Sequence, residues 1–312
     1  MLSPLFFSPT NREIAPIIHA AESAARRGTL AAATAFVIWG LFPLYLKPLA
    51  EVPALQILAH RTLWCALFVC AWLAVRGQLG EVRAAFRDRA VLARLALCAT
   101  LITINWLVYV WAIAQGRVLD TSLGYFINPL LNVVLGVLVL SERLSRAQWL
   151  AVAIVAAGVA WLTFAAGSLP WIALVLASSF GAYGLVRKMA PVGAVPGLAV
   201  ETLLLAPFAL GWLVMVELTG VSAFLSGAPV IDVMLFASGL MTALPLALFA
   251  TGARLIPYSL LGILQYIGPT LQFTLGLTVF GESFSGMRAA GFGIIWAGIA
   301  VFLLDGIKRS RR

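Results

Sequence analysis

Long uninterrupted apolar runs constrain this chain more than any other feature. A helix needs about 20 apolar residues to cross roughly 30 Å of hydrocarbon. Runs of that kind occur at 29–47, 54–75, 91–113, 122–140, 148–166, 169–186, 196–216, 232–251, 259–280 and 288–304. Runs five and six are separated by Gly167-Ser168-Leu169-Pro170, whose Gly and Pro supply the chemistry of a tight turn. The expected fold is all-α and integral to the membrane, with ten transmembrane helices. Composition excludes a soluble fold: 62% of the residues are hydrophobic and 11% charged, against about 25% charged in soluble domains. Disordered chains are poor in apolar residues, so disorder is excluded as well.

A net charge of +9 could suit nucleic acid, but the basic residues stand in short clusters between the apolar runs. The lipid bilayer is therefore the expected partner, and nucleic acid is not. With the N-terminus inside, seventeen Lys and Arg fall on the cytoplasmic side. Only Lys47, Arg117 and Arg288 fall outside, and Arg61 lies within a span. This bias places both termini in the cytoplasm. Residues 1–27 lack the layout of a signal peptide and are expected to form a mobile, weakly amphipathic cytoplasmic tail. Cys65, Cys70 and Cys98 sit inside apolar runs without metal-ligand spacing, and read as small hydrophobes.

An internal repeat organises the runs. A shift of 140 residues places Ile127, Pro129, Leu131, Gly136, Glu142 and Ser145 on Ile267, Pro269, Leu271, Gly276, Glu282 and Ser285. The match continues with Ile154, Ala157, Gly158 and Ala160 on Ile294, Ala297, Gly298 and Ala300. Pro, two Gly and Glu at one constant offset are costly coincidences. The expected units are the tail (1–27), a first five-helix repeat (28–166), a second (167–308) and a basic cytoplasmic end (309–312). Five is odd, so the second copy enters the membrane from the other side. Inverted repeats are a recurrent plan of secondary transporters.

Several segments carry a resemblance: FVIWGLFPLYLK (36–47), ILAHRTLW (57–64), SLGYFINPLLNVVLG (122–136), GSLPWIALVLASSFGAYGLVRK (167–188) and QYIGPTLQF (265–273). With the duplicated outline, they resemble the RarD branch of the EamA family, in the drug/metabolite transporter superfamily. The resemblance covers about 28–308. It implies a permease of a bacterial-type inner membrane, exporting or exchanging a small organic solute by alternating access.

Ionisable groups within a span are costly and mark function by default. Here they are His60, Arg61 and Glu201. The repeat offset maps Arg61 onto Glu201, which suggests a buried ion pair between the halves; a substrate or proton site is the other reading. His60 is either a proton relay or a satisfied core imidazole. The expected substrate cavity comprises Asn105, Trp106, Tyr125, Asn128, Gln265 and Tyr266, with Tyr109, Asn132 and Gln272 nearby. Pro129 and Pro269 are expected to interrupt their helices at corresponding places, a pointer to a transport site. Interhelical hydrogen bonds and close packing are the alternative for each amide and each kink.

No nucleophile elbow, HExxH, phosphate-binding loop or paired carboxylates appear, so neither an enzyme nor a self-contained ATP-driven pump is expected. No cofactor or metal is implied. The expected partners are a small-molecule solute and lipid, with a proton or counter-solute as open choices for coupling and the oligomeric state open. A non-transporting membrane partner or sensor is the alternative, and a membrane enzyme a weaker one.

Overall fold

The computed structural model describes residues 11–140, 145–256, 260, 261 and 264–310. Its elements are α1 (Asn11–Leu46), a 3-10 turn (Lys47–Leu49), α2 (Ala54–Val75), α3 (Leu79–Arg87), α4 (Arg89–Ala114), α5 (Val118–Leu140) and α6 (Arg146–Ala166). There follow α7 (Trp171–Lys188), α8 (Ala194–Leu218), α9 (Pro229–Leu255), α10 (Ile267–Thr278) and α11 (Gly286–Ser310). Among the described residues the regular structure is all helical, and seven helices are long and apolar enough to cross a membrane. A backbone in hydrocarbon must bond within itself, which a helix achieves.

Local chemistry sets the boundaries. Asp88 caps α4 by accepting from the amides of Ala90 and Val91. Ser145 and Gln148 form a reciprocal capping box on α6. Gly167 ends α6 at φ +64°, in the left-handed region, within the expected turn.

Residues 11–27, expected within the cytoplasmic tail, are helical and continuous with α1; Ala20, Ala21, Ala24, Ala25, Arg26 and Arg27 are strong helix formers. Two expectations need correction. The basic segment after α2 contains α3, a short helix that buries Val82 and Ala85 with Leu198 and Ala199 of α8. Pro129 does not interrupt α5, which runs unbroken through it. Its counterpart behaves differently: Gln265 and Tyr266 lie in a turn, and α10 begins only at Ile267. Proline cannot bond the carbonyl four residues back and its ring crowds it, and for Pro269 that carbonyl belongs to Gln265. Glu142 lies outside the described residues.

The helices pack in definite pairs: α1 with α9 and α10, α2 with α8 and α9, α4 with α7 and α8, α5 with α7 and α10, and α6 with α11. Small residues permit close approach, which matters because lipid supplies no hydrophobic drive between helices. A Cβ on Gly239 of α9 would lie 2.4 Å from the Trp64 carbonyl carbon of α2. A Cβ on Gly158 of α6 would lie 2.6 Å from Ile295 and 3.2 Å from the Gly291 carbonyl oxygen. On Gly298 of α11 it would lie 2.7 Å from Val155 and 3.0 Å from the Ala151 carbonyl oxygen.

Contacts gather the connections at two ends. At one, Lys47 donates to the Val279 carbonyl, the Gln56 amide bonds Val221 and Ala223, and Glu282 accepts from the Leu119 amide. At the other, Arg94 reaches the Met189 carbonyl and Ser145 donates to Asp305. Helices α2 and α8 run antiparallel, because Gln56 begins α2 beside the end of α8 while Val69 and Leu73 cluster with Leu198–Val200 at its start.

Candidate substrate site

Arg61 is the eighth residue of α2 and only 5% exposed. Its Nε donates to Thr242 Oγ1 of α9 at 2.6 Å. Its guanidinium carbon lies 4.2 Å from the centre of the Trp106 ring and 4.8 Å from that of Phe42. These are cation–π distances, most effective where water is excluded. Nη1 is buried without a hydrogen-bond partner.

Next to this cation, Asn105 is 1% exposed and joins three helices. Its Nδ2 donates to the Leu176 carbonyl at 2.9 Å and to Ser179 Oγ at 3.0 Å, and its Oδ1 accepts from Tyr125 at 3.3 Å. The amide thus uses both its donor and acceptor capacity to lock α4, α5 and α7 together.

Rings continue from here in both directions. Tyr45 stacks on Phe42 at 5.5 Å and Phe42 on Tyr109 at 6.2 Å; Tyr109 meets Tyr125 at 5.8 Å. Tyr125 then meets Phe180 at 6.2 Å, and Phe180 meets Tyr183 at 5.9 Å. The Tyr183 hydroxyl donates to Glu201 Oε2 at 3.3 Å. A lane of six rings therefore runs from the end of α1 past Arg61 to Glu201. Tyr45 anchors its first end by donating to the Met234 carbonyl.

Glu201 does not pair with Arg61. Its Oε1 lies 3.4 Å from Nε of Arg187, whose other nitrogens donate to the carbonyls of Val192, Gly193 and Ala194. Gly197 leaves the space for that guanidinium, since a Cβ there would fall 2.0 Å from Arg187 Nη2. Geometry explains why the expected pair does not form. Arg61 and Glu201 are each the eighth residue of their helices, about 10 Å in at 1.5 Å per residue. Because α2 and α8 run antiparallel, equal depth from the two starts leaves the residues at different levels of the bundle, about 10 Å apart along its axis.

The other expected residues divide. Arg61, Trp106, Asn105 and Tyr125 come together, and Asn128 follows Tyr125 by one turn of α5 with its Oδ1 unpartnered. His60 turns away, its ring 4.7 Å from Phe224. Tyr266 stacks on Phe126 at 6.3 Å in a separate apolar cluster, and among the described residues no contact joins Gln265 or Tyr266 to Arg61. Sequence reasoning misses Phe42, Tyr45, Thr242, Phe180, Tyr183 and Arg187 as site residues. Rings are cheap in membrane spans, and Arg187 reads as a free basic residue in a connection. Only the segment PVGAVPG (191–197), rich in Pro and Gly and four residues beyond it, hints that a short turn folds back over the guanidinium.

Comparisons with known proteins agree with this architecture. The EamA-like transporter family matches residues 26–164. An uncharacterized transporter of Pseudomonas aeruginosa is 46% identical, across 92% of this chain and 96% of its own. Protein RarD of Escherichia coli K12 is 40% identical, across 92% and 97%, and the chloramphenicol-sensitive protein RarD of P. aeruginosa 32%, across 92% and 96%. A solved crystal structure at 23% identity superposes with a TM-score of 0.60, covering 91% of this chain and 99% of its own, so the fold is shared. The class is that of multi-pass membrane transporters. Within it, the chain belongs to the EamA family and is of the RarD type.

Proposed function

We propose that the chain is a secondary transporter built from two inverted five-helix repeats, 28–166 and 167–308, moving a small organic solute by alternating access. The observation that carries this reading is the symmetry of its packing. Exchanging the halves turns the α1–α9 contact into α7–α4, α1–α10 into α7–α5 and α2–α9 into α8–α4, while α2–α8, α5–α10 and α6–α11 each map onto themselves. The glycine contacts follow suit: Gly158 against Ile295 and Gly291 becomes Gly298 against Val155 and Ala151 under the offset of 140. Two halves that can exchange conformations would open one midplane site to each side in turn. The family match, 26–164, ends close to the first repeat boundary.

The solute path follows the ring lane. Asn105, Trp106, Tyr125 and Asn128 line its centre, Arg61 stands towards the outer end, and the Arg187–Glu201 pair closes the inner end. Gln265 and Tyr266, at the break before Pro269, are the moving counterpart on the second repeat. Both termini are cytoplasmic in a bacterial-type inner membrane. The test is flux into vesicles containing only this protein, across a panel of labelled small organic solutes. Saturable, protein-dependent uptake that Asn105→Ala or Tyr125→Ala slows is the expected result. Vesicles indistinguishable from protein-free ones across the panel would overturn the reading.

A further inference from the structure

We propose that Arg61 is the recognition point for an organic monoanion, a carboxylate carried on a flat apolar body. This rests on the transport reading and names its substrate class. Three other arginines of the bundle have their charge answered: Arg187 by Glu201, and Arg117 and Arg288 by Asp120. Arg61 does not. The groups facing it are the Thr242 hydroxyl, the Phe42 and Trp106 rings, the phenols of Tyr45, Tyr109 and Tyr125 and the Cys65 thiol. Among the described residues no Asp or Glu forms an ion pair with it. A buried charge left without a counter-charge is strongly disfavoured, so the unanswered cation points to an anion supplied from outside the chain.

The donor pattern specifies that anion further. Thr242 takes Nε, which leaves the far end of the guanidinium and the unpartnered Nη1. Two parallel N–H groups there match the two oxygens of a carboxylate. The Tyr109 hydroxyl, on the ring packed against Phe42, is also buried without a partner and can add a donor. One cation balances one negative charge, so a dianion would carry its second charge into the same apolar surroundings. An ammonium would meet a like charge and, among the described residues, no carboxylate paired with Arg61 to hold it, which disfavours zwitterions and cations. The Phe42, Trp106 and Tyr109 rings beside the donors suit a flat apolar body.

The test uses the purified full-length chain and its heat-denaturation midpoint at neutral pH and constant ionic strength. The probes are benzoate, benzyl alcohol, benzylamine and phenylphosphate, which share a ring and differ in charge. A ligand that binds only the folded state raises the midpoint with concentration. Benzoate is expected to do so, with the alcohol, the amine and the phosphate well behind. Arg61→Gln is expected to weaken the benzoate effect about tenfold or more, the scale of losing a hydrogen bond to a charged group. Arg61→Lys, which keeps the charge and loses the fork, should weaken it less.

The wild-type series stands even if both variants misfold. No shift with benzoate, an equal shift with the alcohol or the amine, a larger one with phenylphosphate, or an undiminished shift in folded Arg61→Gln overturns the proposal. Benzoate binding without flux of any solute would instead defeat the transport reading alone. Saturable flux of an uncharged solute, indifferent to benzoate, would defeat the monoanion site and leave transport standing.

Discussion

Glu201, 1% exposed, draws its counter-charge from Arg187 across a single turn of chain rather than from the other half of the molecule. Breaking a buried pair from one side typically costs about 3–5 kcal/mol, because the remaining charge is stranded. Arg187 is 15% exposed, so the low end of that range applies. Glu201→Ala and Arg187→Ala should each lower thermal stability in detergent, and the double variant by clearly less than the two effects added. The same cycle on Arg61 and Glu201 should show clearly less coupling, as for residues that make no ion pair or hydrogen bond with each other. Coupling in the second cycle and none in the first would reverse the assignment. Gly197→Ala should act like a milder Arg187→Ala, since its Cβ displaces the guanidinium. That Arg61 and Glu201 are buried was legible in the sequence, because each stands inside an apolar run. Their partners were not legible: a repeat offset states equivalence, and equivalence under antiparallel packing separates residues instead of joining them.

At the level of helices, seven of the ten apolar runs stand among the described residues as helices long and apolar enough to cross a membrane, and these were readable because each must satisfy the same length and polarity condition. Nine-residue α3 escaped, since its two buried residues, Val82 and Ala85, sit in a basic segment and only α8 makes them a core. Pro129 and Pro269 look alike in sequence, yet one helix continues and the other begins only two residues before its proline. The α6–α11 contact yields a symmetric prediction. Gly158→Ala and Gly298→Ala each push a methyl into the facing helix at 2.6 and 2.7 Å. Each should therefore cost about 1–3 kcal/mol, the usual penalty for overpacking, and by similar amounts; a neutral effect at either, by thermal denaturation, would contradict the close approach. Glu282 gives a pH prediction. Its carboxylate caps the first turn of α5 through the Leu119 amide, and burial raises its pKa above the ordinary value of 4.5. An acid whose folded pKa is raised holds its proton longer in the folded state, so its contribution to stability falls as pH rises from the ordinary glutamate range through the raised value. Stability should rise on acidification through that window in the wild type relative to Glu282→Gln, whose profile should be flatter there.

For the whole molecule, the decisive quantity is which end of the bundle faces the cytoplasm. The end formed by α3, the start of α4 and the turn from α7 to α8 carries Arg76, Arg83, Arg87, Arg89, Arg94 and Arg187, whereas the opposite end carries Lys47, Arg117 and Arg288. Positively charged connections are retained on the cytoplasmic side, so the first end should be inside, and the connection before α11 outside. Arg83 and Ser285 are both exposed, one at each end, and each can be replaced by a single cysteine in a background lacking Cys65, Cys70 and Cys98. In intact cells a membrane-impermeant thiol reagent should label Ser285→Cys and leave Arg83→Cys unmodified until the membrane is permeabilised. Labelling from the same side at both positions would mean that an even number of crossings separates them. The second repeat would then not be inverted, and the paired helix contacts would need an axis along the membrane normal instead of one in its plane. Opposite labelling, with Ser285 outside, keeps the two halves related by inversion, with the Tyr45 end of the ring lane towards the outer side and the Glu201 end towards the inner.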